Sequence, residues 1–363
     1  MGSFLSSLFS PSSEKPSYLG IDVGFGGIKM VELKNETGRA RLVTYAYVNM
    51  PAESLEKSLL NDVPAAADLL KKMCAKAKTT TKKTVAALPI SSVFSSILNV
   101  PTTDDKEIKE AVLIQAKKLI PLPIEEVSID TKIVEKIEKT DTVKPSTRVL
   151  ITAAPKTLVN KYVELFKAAG LELMFLETEA FAEIRSLIGK DRATILIVDI
   201  GSLRTNIFIV ERGIPMVTRS IATGGDGITQ TIAKTLGIPK EQAESMKRDI
   251  KSMQAFAPEG DLSTILSVLV KPILEELKYS INLYQGPDSA INTSGKKVDK
   301  VIVTGGSSLL PRLPEFLTKE LGINTYLGNP WARVVYPPEL KPVVEEMGPR
   351  FAVVIGCAMR DID

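Results

Sequence analysis

The chain has 363 residues, 44% hydrophobic and 25% charged, with 46 Lys and Arg against 43 Asp and Glu for a net charge of +3. That length exceeds one ordinary core and predicts two lobes, while the balanced charge gives no footing for nucleic-acid binding, which rests on dense phosphate neutralisation. With no histidine and only Cys74 and Cys357, imidazole-based catalysis, zinc or iron sites that need imidazole, thiolate metal clusters and disulfide frameworks are excluded; any metal site must be built from oxygen, which favours Mg²⁺ with phosphate, and the low cysteine content fits a reducing cytoplasm.

Residues 1–17 set Phe4, Leu5, Leu8 and Phe9 among serines without a basic lead or a long apolar core, so they do not read as a signal peptide. A frayed tail and an apolar stripe for a membrane surface or partner are both open. No run reaches the ~18 apolar residues of a membrane-spanning helix. From Tyr18 a strand runs to Asp22-Val23-Gly24, a glycine turn follows, and strands are predicted over Ile28–Leu33 and Ala40–Asn49. A helix over Asp68–Ala77 leads to Val85–Leu88 and Val93–Val100, which read as a hairpin around Pro89. Then come a helix over Asp104–Leu119 with Thr103 as a candidate N-cap, a hairpin of Val127–Lys136 and Arg148–Ala154 joined through Lys139 and Lys144, and a helix over Thr157–Ala169 stopped by Gly170. The resulting β-β-α-β-β-α block, Thr84–Gly170, reads as a small inserted domain.

A second half restarts with strands at Thr194–Ile200, Thr205–Val210 and Ile214–Ile221. Helices follow at Gly227–Leu236, Lys240–Met253 and Thr264–Gln285, then a strand at Val298–Thr304, a helix at Leu313–Leu321 and a last helix at Arg350–Met359. Trp331, beside Pro330, reads as a packing residue.

Asp22-Val23-Gly24 recurs 177 positions on as Asp199-Ile200-Gly201, and Val301–Val303 ends in Thr304-Gly305-Gly306. An apolar run ending on acid or hydroxyl plus glycine lets backbone N–H groups approach a ligand and cradle phosphate. Two such turns in equivalent places predict related half-domains facing across a cleft, with Asp22 and Asp199 where a metal-bound phosphate would lie and Lys29 near the distal phosphates. Asp22 would equally serve as a plain turn cap. Neither the P-loop nor the dinucleotide fingerprint is present; Gly24-Phe25-Gly26-Gly27-Ile28-Lys29 misses the latter at Lys29.

Taken in order, these motifs resemble the actin, Hsp70 and sugar-kinase superfamily over Tyr18–Met359. Gly20-Ile21-Asp22-Val23-Gly24 matches the first phosphate motif, Asp199-Ile200-Gly201-Ser202 with Thr205 the second, and Val303-Thr304-Gly305-Gly306-Ser307 the adenosine motif; Ala243-Glu244-Ser245-Met246-Lys247 looks like the helix that bounds adenine and ribose. The inserted block, the Lys29-Met30-Val31-Glu32-Leu33 strand and the Phe181-Ala182 pair are similar to the PilM family of type IV pilus assembly proteins, which is related to FtsA. FtsA continues into a basic linker and amphipathic helix, whereas this chain stops four residues after Met359.

The resemblance implies an α/β, actin-like/ribonuclease H-like two-lobe fold with the inserted β-β-α-β-β-α subdomain. It divides the chain into a terminus (1–17), a first subdomain (18–83, 171–190 and 348–363), the insert (84–170), a second-lobe core (191–224 and 298–347) and a helical subdomain (225–297). It further implies ATP and Mg²⁺ as cofactors. Their contacts would be Asp22, Gly24, Gly26, Gly27, Lys29, Asp199, Gly201, Ser202, Thr205, Gly224, Gly225, Glu244, Lys247, Gly305, Gly306 and Ser307, with Mg²⁺ reached from Asp22 and Asp199 through water. Glu179, with Glu177 as rival, would orient the attacking water. The family's first turn usually carries serines where this chain has Phe25-Gly26-Gly27, leaving backbone donors alone. The implied function is a cytoplasmic ATP-binding scaffold, with slow or no hydrolysis, held at the inner membrane by the tail of a PilN-like protein. An FtsA-like division scaffold and a small-molecule kinase are the alternatives; the insert offers a kinase no evident base.

Overall fold

In a computed structural model, residues 17–50, 58–138, 145–255, 262–287, 291–292 and 295–362 are described. Strands β1 (Tyr18–Gly24), β2 (Gly27–Glu36) and β3 (Arg39–Asn49) form an antiparallel meander. Helix α1 (Val63–Ala77) starts on the Asp62 carboxylate, which accepts from the Ala65 amide. Next come β4 (Lys83–Leu88), β5 (Phe94–Val100), α2 (Asp105–Leu119), β6 (Val127–Ile137), β7 (Ser146–Pro155), α3 (Lys156–Ala168) and β8 (Glu172–Thr178). Helix α4 (Glu179–Glu183) continues through a π-helical turn, Ile184–Ile188.

The second half holds β9 (Ile195–Ile200), β10 (Thr205–Glu211), β11 (Ile214–Ile221), α5 (Gly225–Leu236), α6 (Lys240–Arg248), α7 (Ile250–Ala255), α8 (Leu262–Leu269) and α9 (Lys271–Gln285). It ends with β12 (Lys300–Thr304), α10 (Leu313–Leu321), β13 (Thr325–Leu327), β14 (Val334–Val335), α11 (Lys341–Met347) and α12 (Ala352–Ala358).

The two main sheets repeat one plan. The first runs β14-β3-β2-β1-β4-β8 and the second β11-β10-β9-β12-β13, so β3-β2-β1-β4-β8 and β11-β10-β9-β12-β13 correspond strand for strand. In each, an antiparallel meander is extended by parallel strands on the side of its first strand. Helix α4 and its π-helical continuation carry Ala180, Ile184 and Ile188 onto Ile195, Ile197, Phe208 and Val210 of the second sheet, and within the first lobe α12 packs closely against β1 and α4. That approach needs glycine: a Cβ on Gly20 would lie 2.2 Å from the Val354 carbonyl oxygen, and one on Gly356 would lie 1.8 Å from that of Ala182. Trp331 is fully buried against Tyr45, Tyr336 and Phe351, as a packing residue should be.

Several local expectations are corrected. The stretches around Pro89 are no hairpin: β4 lies in the first sheet between β1 and β8, while β5 belongs to a separate sheet ordered β5-β7-β6. Near-continuous burial along β4 marks it as an interior strand of a covered sheet. Helix α3 packs Tyr162, Leu165 and Phe166 with Leu70 and Met73 of α1 against the first sheet. The separate body between the lobes' elements is therefore β5, α2, β6 and β7, without the first strand and last helix expected of the block. Strand β8 was not anticipated. Asp104, not Thr103, caps α2, accepting from the Lys106 and Glu107 amides. The helix expected over Lys240–Met253 breaks at Asp249, and that over Thr264–Gln285 breaks at Val270, just ahead of Pro272 in the first turn of α9. The Phe4–Phe9 stripe and the Lys139–Lys144 loop lie outside the described residues.

The insert also rests on the second lobe. Leu150 of β7 is part of that lobe's core, with Ile97 and Val134 packed against it. Arg148, buried, donates to the Ile291 carbonyl and pairs with Glu135 at 3.6 Å.

Candidate functional site

All three strand-end turns open into one cleft of about 930 Å³ between the lobes. The β1–β2 turn is tight: Gly24 pairs with Gly27, leaving Phe25-Gly26 as its tip. Gly27 has φ +133°, and a Cβ there would lie 1.9 Å from the Val48 carbonyl oxygen, so this glycine shapes the turn. The β9–β10 loop is wider, Gly201–Arg204, and closes with Gly201 N–H donating to the Arg204 carbonyl at 2.9 Å. Its Gly201 and Ser202 carbonyls accept from the Gly225 and Asp226 amides at 2.8 Å, so the first N–H groups of α5 are spent holding this loop. At the end of β12, Gly305 (φ +85°) lets that strand come beside Asp199, where a Cβ would fall 2.2 Å from Oδ1.

Of the residues singled out in the sequence, Asp22, Gly24, Gly26, Lys29, Glu179, Asp199, Gly201, Ser202, Gly225, Glu244, Lys247, Gly305, Gly306 and Ser307 line the cleft. Gly27, Thr205 and Gly224 do not. Thr205 is fully buried and donates to the Thr223 carbonyl at 2.7 Å. Gly224 packs on the β9–β10 loop, where a Cβ would lie 2.7 Å from both Arg204 N and the Ser202 carbonyl oxygen. These three shape the loops that the others present.

Glu177 and Glu179 have separate roles. Both oxygens of Glu177 are engaged outside the cleft, by Arg185 at 2.7 and 2.8 Å and by Arg360 at 2.8 Å. Glu179 faces the cleft and accepts from the Ile90 amide and the Asn206 side-chain amide, each at 2.9 Å.

The cleft floor is rich in acid. Asp22, Glu179, Glu183 and Asp199 gather there with Lys29, whose Nζ donates to Asp22 Oδ2 at 2.7 Å. Burial raises the Glu179 carboxyl to about 8, helped by the charges of Asp22 and Asp199. Burial likewise raises Asp199 to about 6, against the lowering influence of Lys29 and a hydrogen bond with Glu183. Glu183 is pushed well above the usual carboxylate range by burial and by Asp199 and Glu179. With Glu183 the more strongly raised of the two, it is the one that keeps its proton beside Asp199; among the described residues its buried Oε2 has no hydrogen-bond partner. Burial works against the Lys29 ammonium, but Asp22 outweighs it and the ammonium is raised overall.

At the other end of the cleft, Lys247 Nζ donates to Glu244 Oε2 at 2.5 Å, Thr229 Oγ1 at 2.8 Å and the Gly225 carbonyl at 3.1 Å, pinning α6 to α5. Arg248 takes Glu244 Oε1 at 2.9 Å. Arg350 lies at the mouth, its guanidinium over the Tyr47 ring at 5.5 Å and donating to Asn49 Oδ1 at 2.7 Å.

Glu183, Asn206 and Arg350 were missed in the sequence. Glu183 had a signal, an acid four residues after Glu179 in an otherwise apolar run. Asn206 holds the register position opposite Asp199 that Lys29 holds opposite Asp22.

The sequence model of the family described as type IV pilus assembly protein PilM matches residues 20–362. The chain belongs to the PilM family. A solved PilM-PilN type IV pilus biogenesis complex is similar over 95% of this chain and 98% of its own, at 25% identity and a TM-score of 0.78. The cell division protein FtsA of Streptococcus pneumoniae serotype 2 is 21% identical over 354 residues, 86% of this chain and 75% of that protein. MreB5 of Spiroplasma citri, solved bound to ADP, shares the fold at 14% identity and a TM-score of 0.52, over 95% of each chain. As a PilM-family member, the chain is a pilus-assembly protein on an actin-like frame, its two equivalent sheets facing one cleft. Among the described residues, no helix is long and apolar enough to cross a membrane.

Proposed function

We propose that the chain binds Mg-ATP in the central cleft and acts as a cytoplasmic scaffold, the nucleotide setting the angle between the lobes. The observation that carries this reading is the convergence of three glycine turns on one acidic cleft, with Lys29 at the first turn and the Glu244–Lys247 face at the far end. Oxygen donors fit Mg²⁺. Among the described residues no three acidic or cysteine side chains are grouped to hold a metal directly, so Asp22 and Asp199 would hold it through water, and its charge would neutralise the phosphates. Glu179, protonated at neutral pH and held by Ile90 and Asn206, is a poor acceptor of a water proton, which supports slow or no hydrolysis.

The partner in this reading is the tail of a PilN-like membrane protein, docked between the insert and the first subdomain and holding the scaffold at the inner membrane. The similar PilM-PilN complex supports that partner, and the insert offers exposed Leu113, Ile114 and Leu119 on α2.

Calorimetry tests the nucleotide. Mg-ATP should bind the parent protein and fail to bind a folded Asp199→Ala variant; equal affinity in both would overturn the assignment. A synthetic PilN-like tail should bind with different affinity in the presence and absence of Mg-ATP, and the same factor should appear in the reverse titration. Identical tail affinity in the two conditions would remove the coupling.

A further inference from the structure

Beside the central cleft lies a second, polar pocket of about 290 Å³. Ile90, Ser91 and Val93, leading into the insert, and Ser95 of β5 face Thr218, Arg219 and Ser220 of β11, and Arg204 reaches in from the β9–β10 loop; Ser91 and Arg204 also line the central cleft. Among the described residues no carboxylate lines the second pocket. The two arginines differ. Arg219 pairs with Glu276 and lies over the Tyr279 ring at 4.7 Å. Arg204 is half-buried; its Nε donates to Ser220 Oγ at 3.0 Å and Nη2 to the Ser220 carbonyl at 3.4 Å, and among the described residues no acid pairs with it. The hydroxyls of Ser91, Ser95 and Thr218 also have no hydrogen-bond partner among the described residues.

The half-buried Arg204 guanidinium keeps donors beyond the two spent on Ser220, and the hydroxyls of Ser95 and Thr218, partly buried, and of Ser91, exposed at the rim, can add theirs to an acceptor that displaces water. Ser91 and Ser95 come from one segment and Thr218 from the facing strand, with Arg204 lining the same pocket, and donors spread over separate elements suit the tetrahedral oxygens of a phosphate better than the planar fork of a carboxylate. We propose that this pocket binds a phosphate group, with Arg204 as its charge partner and Ser91, Ser95 and Thr218 as hydroxyl donors. The group is either free phosphate or the phosphate of a monoester. The site is wired to the main cleft: Ser220, which receives Arg204, donates to Asn206 Oδ1 at 2.8 Å, and Asn206 donates to Glu179. An occupant that draws Arg204 away from Ser220 would thereby act on the hydrogen bonds that orient Glu179.

The test is titration of the full chain with inorganic phosphate and, separately, glycerol 3-phosphate, followed by calorimetry and ³¹P NMR. The Ser95→Ala/Thr218→Ala double variant leaves every residue of the central cleft in place, so phosphate or Mg-ATP bound there is unaffected. In this variant the affinity of the pocket should fall about tenfold or more; Arg204→Gln, at a residue that lines both cavities, should lower it as well. Tighter binding of glycerol 3-phosphate than of phosphate assigns the monoester, and the reverse assigns the free ion. Unchanged phosphate binding in the double variant would overturn the proposal, as would acetate displacing phosphate at equal concentration. Because the double variant keeps the central cleft, Mg-ATP binding succeeds or fails in it independently of this result.

Discussion

The β1–β2 and β9–β10 hairpins are the same device built twice, and they solve the problem of a buried aspartate in opposite ways. In the first, Asp22 pairs in register with Lys29, and the two side chains form an ion pair at 2.7 Å. In the second, Asp199 pairs in register with Asn206, which carries no charge and turns its amide to Glu179 instead. Asp199 is left to share a proton with Glu183. One hairpin balances its acid with a base, the other with a second acid that stays protonated. The second aspartate is therefore the one without a basic partner in contact, and the first already has its own.

The sharpest way to break this comparison is to neutralise each aspartate in turn. Asp22→Asn leaves Lys29 largely enclosed with no acid in contact, costing about 2 kcal/mol once partial exposure of the pair is allowed for. Asp199→Asn keeps the shape, leaves a carbonyl to accept from Glu183 and removes a charge that burial disfavours, so the ligand-free protein should gain about 1–2 kcal/mol at neutral pH. Equivalent positions should differ by roughly 3–4 kcal/mol in urea unfolding without nucleotide. Changes of the same sign at both positions would show that the hairpins are balanced alike.

Much of this was legible in the chain. The strand–acid–glycine turns can be read because a buried strand end and its glycine are adjacent in sequence, and their repeat at Asp22 and Asp199 foretold two matching sheets. What escaped depends on distance along the chain. Periodicity finds a strand at β4 without saying which sheet it joins. Nothing near Glu183 announces that Asp199 will sit beside it. Glycine is ambiguous for a different reason: Gly26 and Gly27 are neighbours in the same turn, yet only Gly26 lines the cleft while Gly27 satisfies the backbone. Thr205 likewise resembles a phosphate contact by position, but its hydroxyl is spent on the Thr223 carbonyl.

A proton-balanced hairpin must also show itself in pH dependence. Glu179 rises from an ordinary 4.5 to about 8 on folding, so its protonated form is favoured in the native state. Stability from this group is fully present below about 4.5 and is lost as pH climbs towards 8, with a slope of roughly 1 kcal/mol per pH unit. Asp199 adds a loss in the same direction between 3.8 and about 6. The ligand-free protein should therefore weaken by about 3 kcal/mol between pH 6 and 8, and Glu179→Gln should flatten most of the part that these two acids supply. A stability that instead rises over this range in urea titrations would mean that the acids are ionised and paired in the native state.

The smallest expected effect isolates the residue that distinguishes the hairpins. Asn206→Ala removes one of the two hydrogen bonds at Glu179 Oε2 and leaves Ser220 Oγ without its acceptor. Both groups are only partly enclosed and can turn to water, so the cost should be about 1 kcal/mol. The informative readout is the pH profile. The Asn206 amide donates to the carboxyl oxygen, and a donor favours the ionised form; without it Glu179 should hold its proton more tightly, and the midpoint of the stability loss should move to higher pH. Urea unfolding of Asn206→Ala and Asn206→Asp across pH 6–9 checks this. Asn206→Asp adds a further charge beside Glu179 and should move the midpoint further in the same direction. If neither substitution moves it, Asn206 does not govern Glu179, and the two hairpins differ only at Lys29.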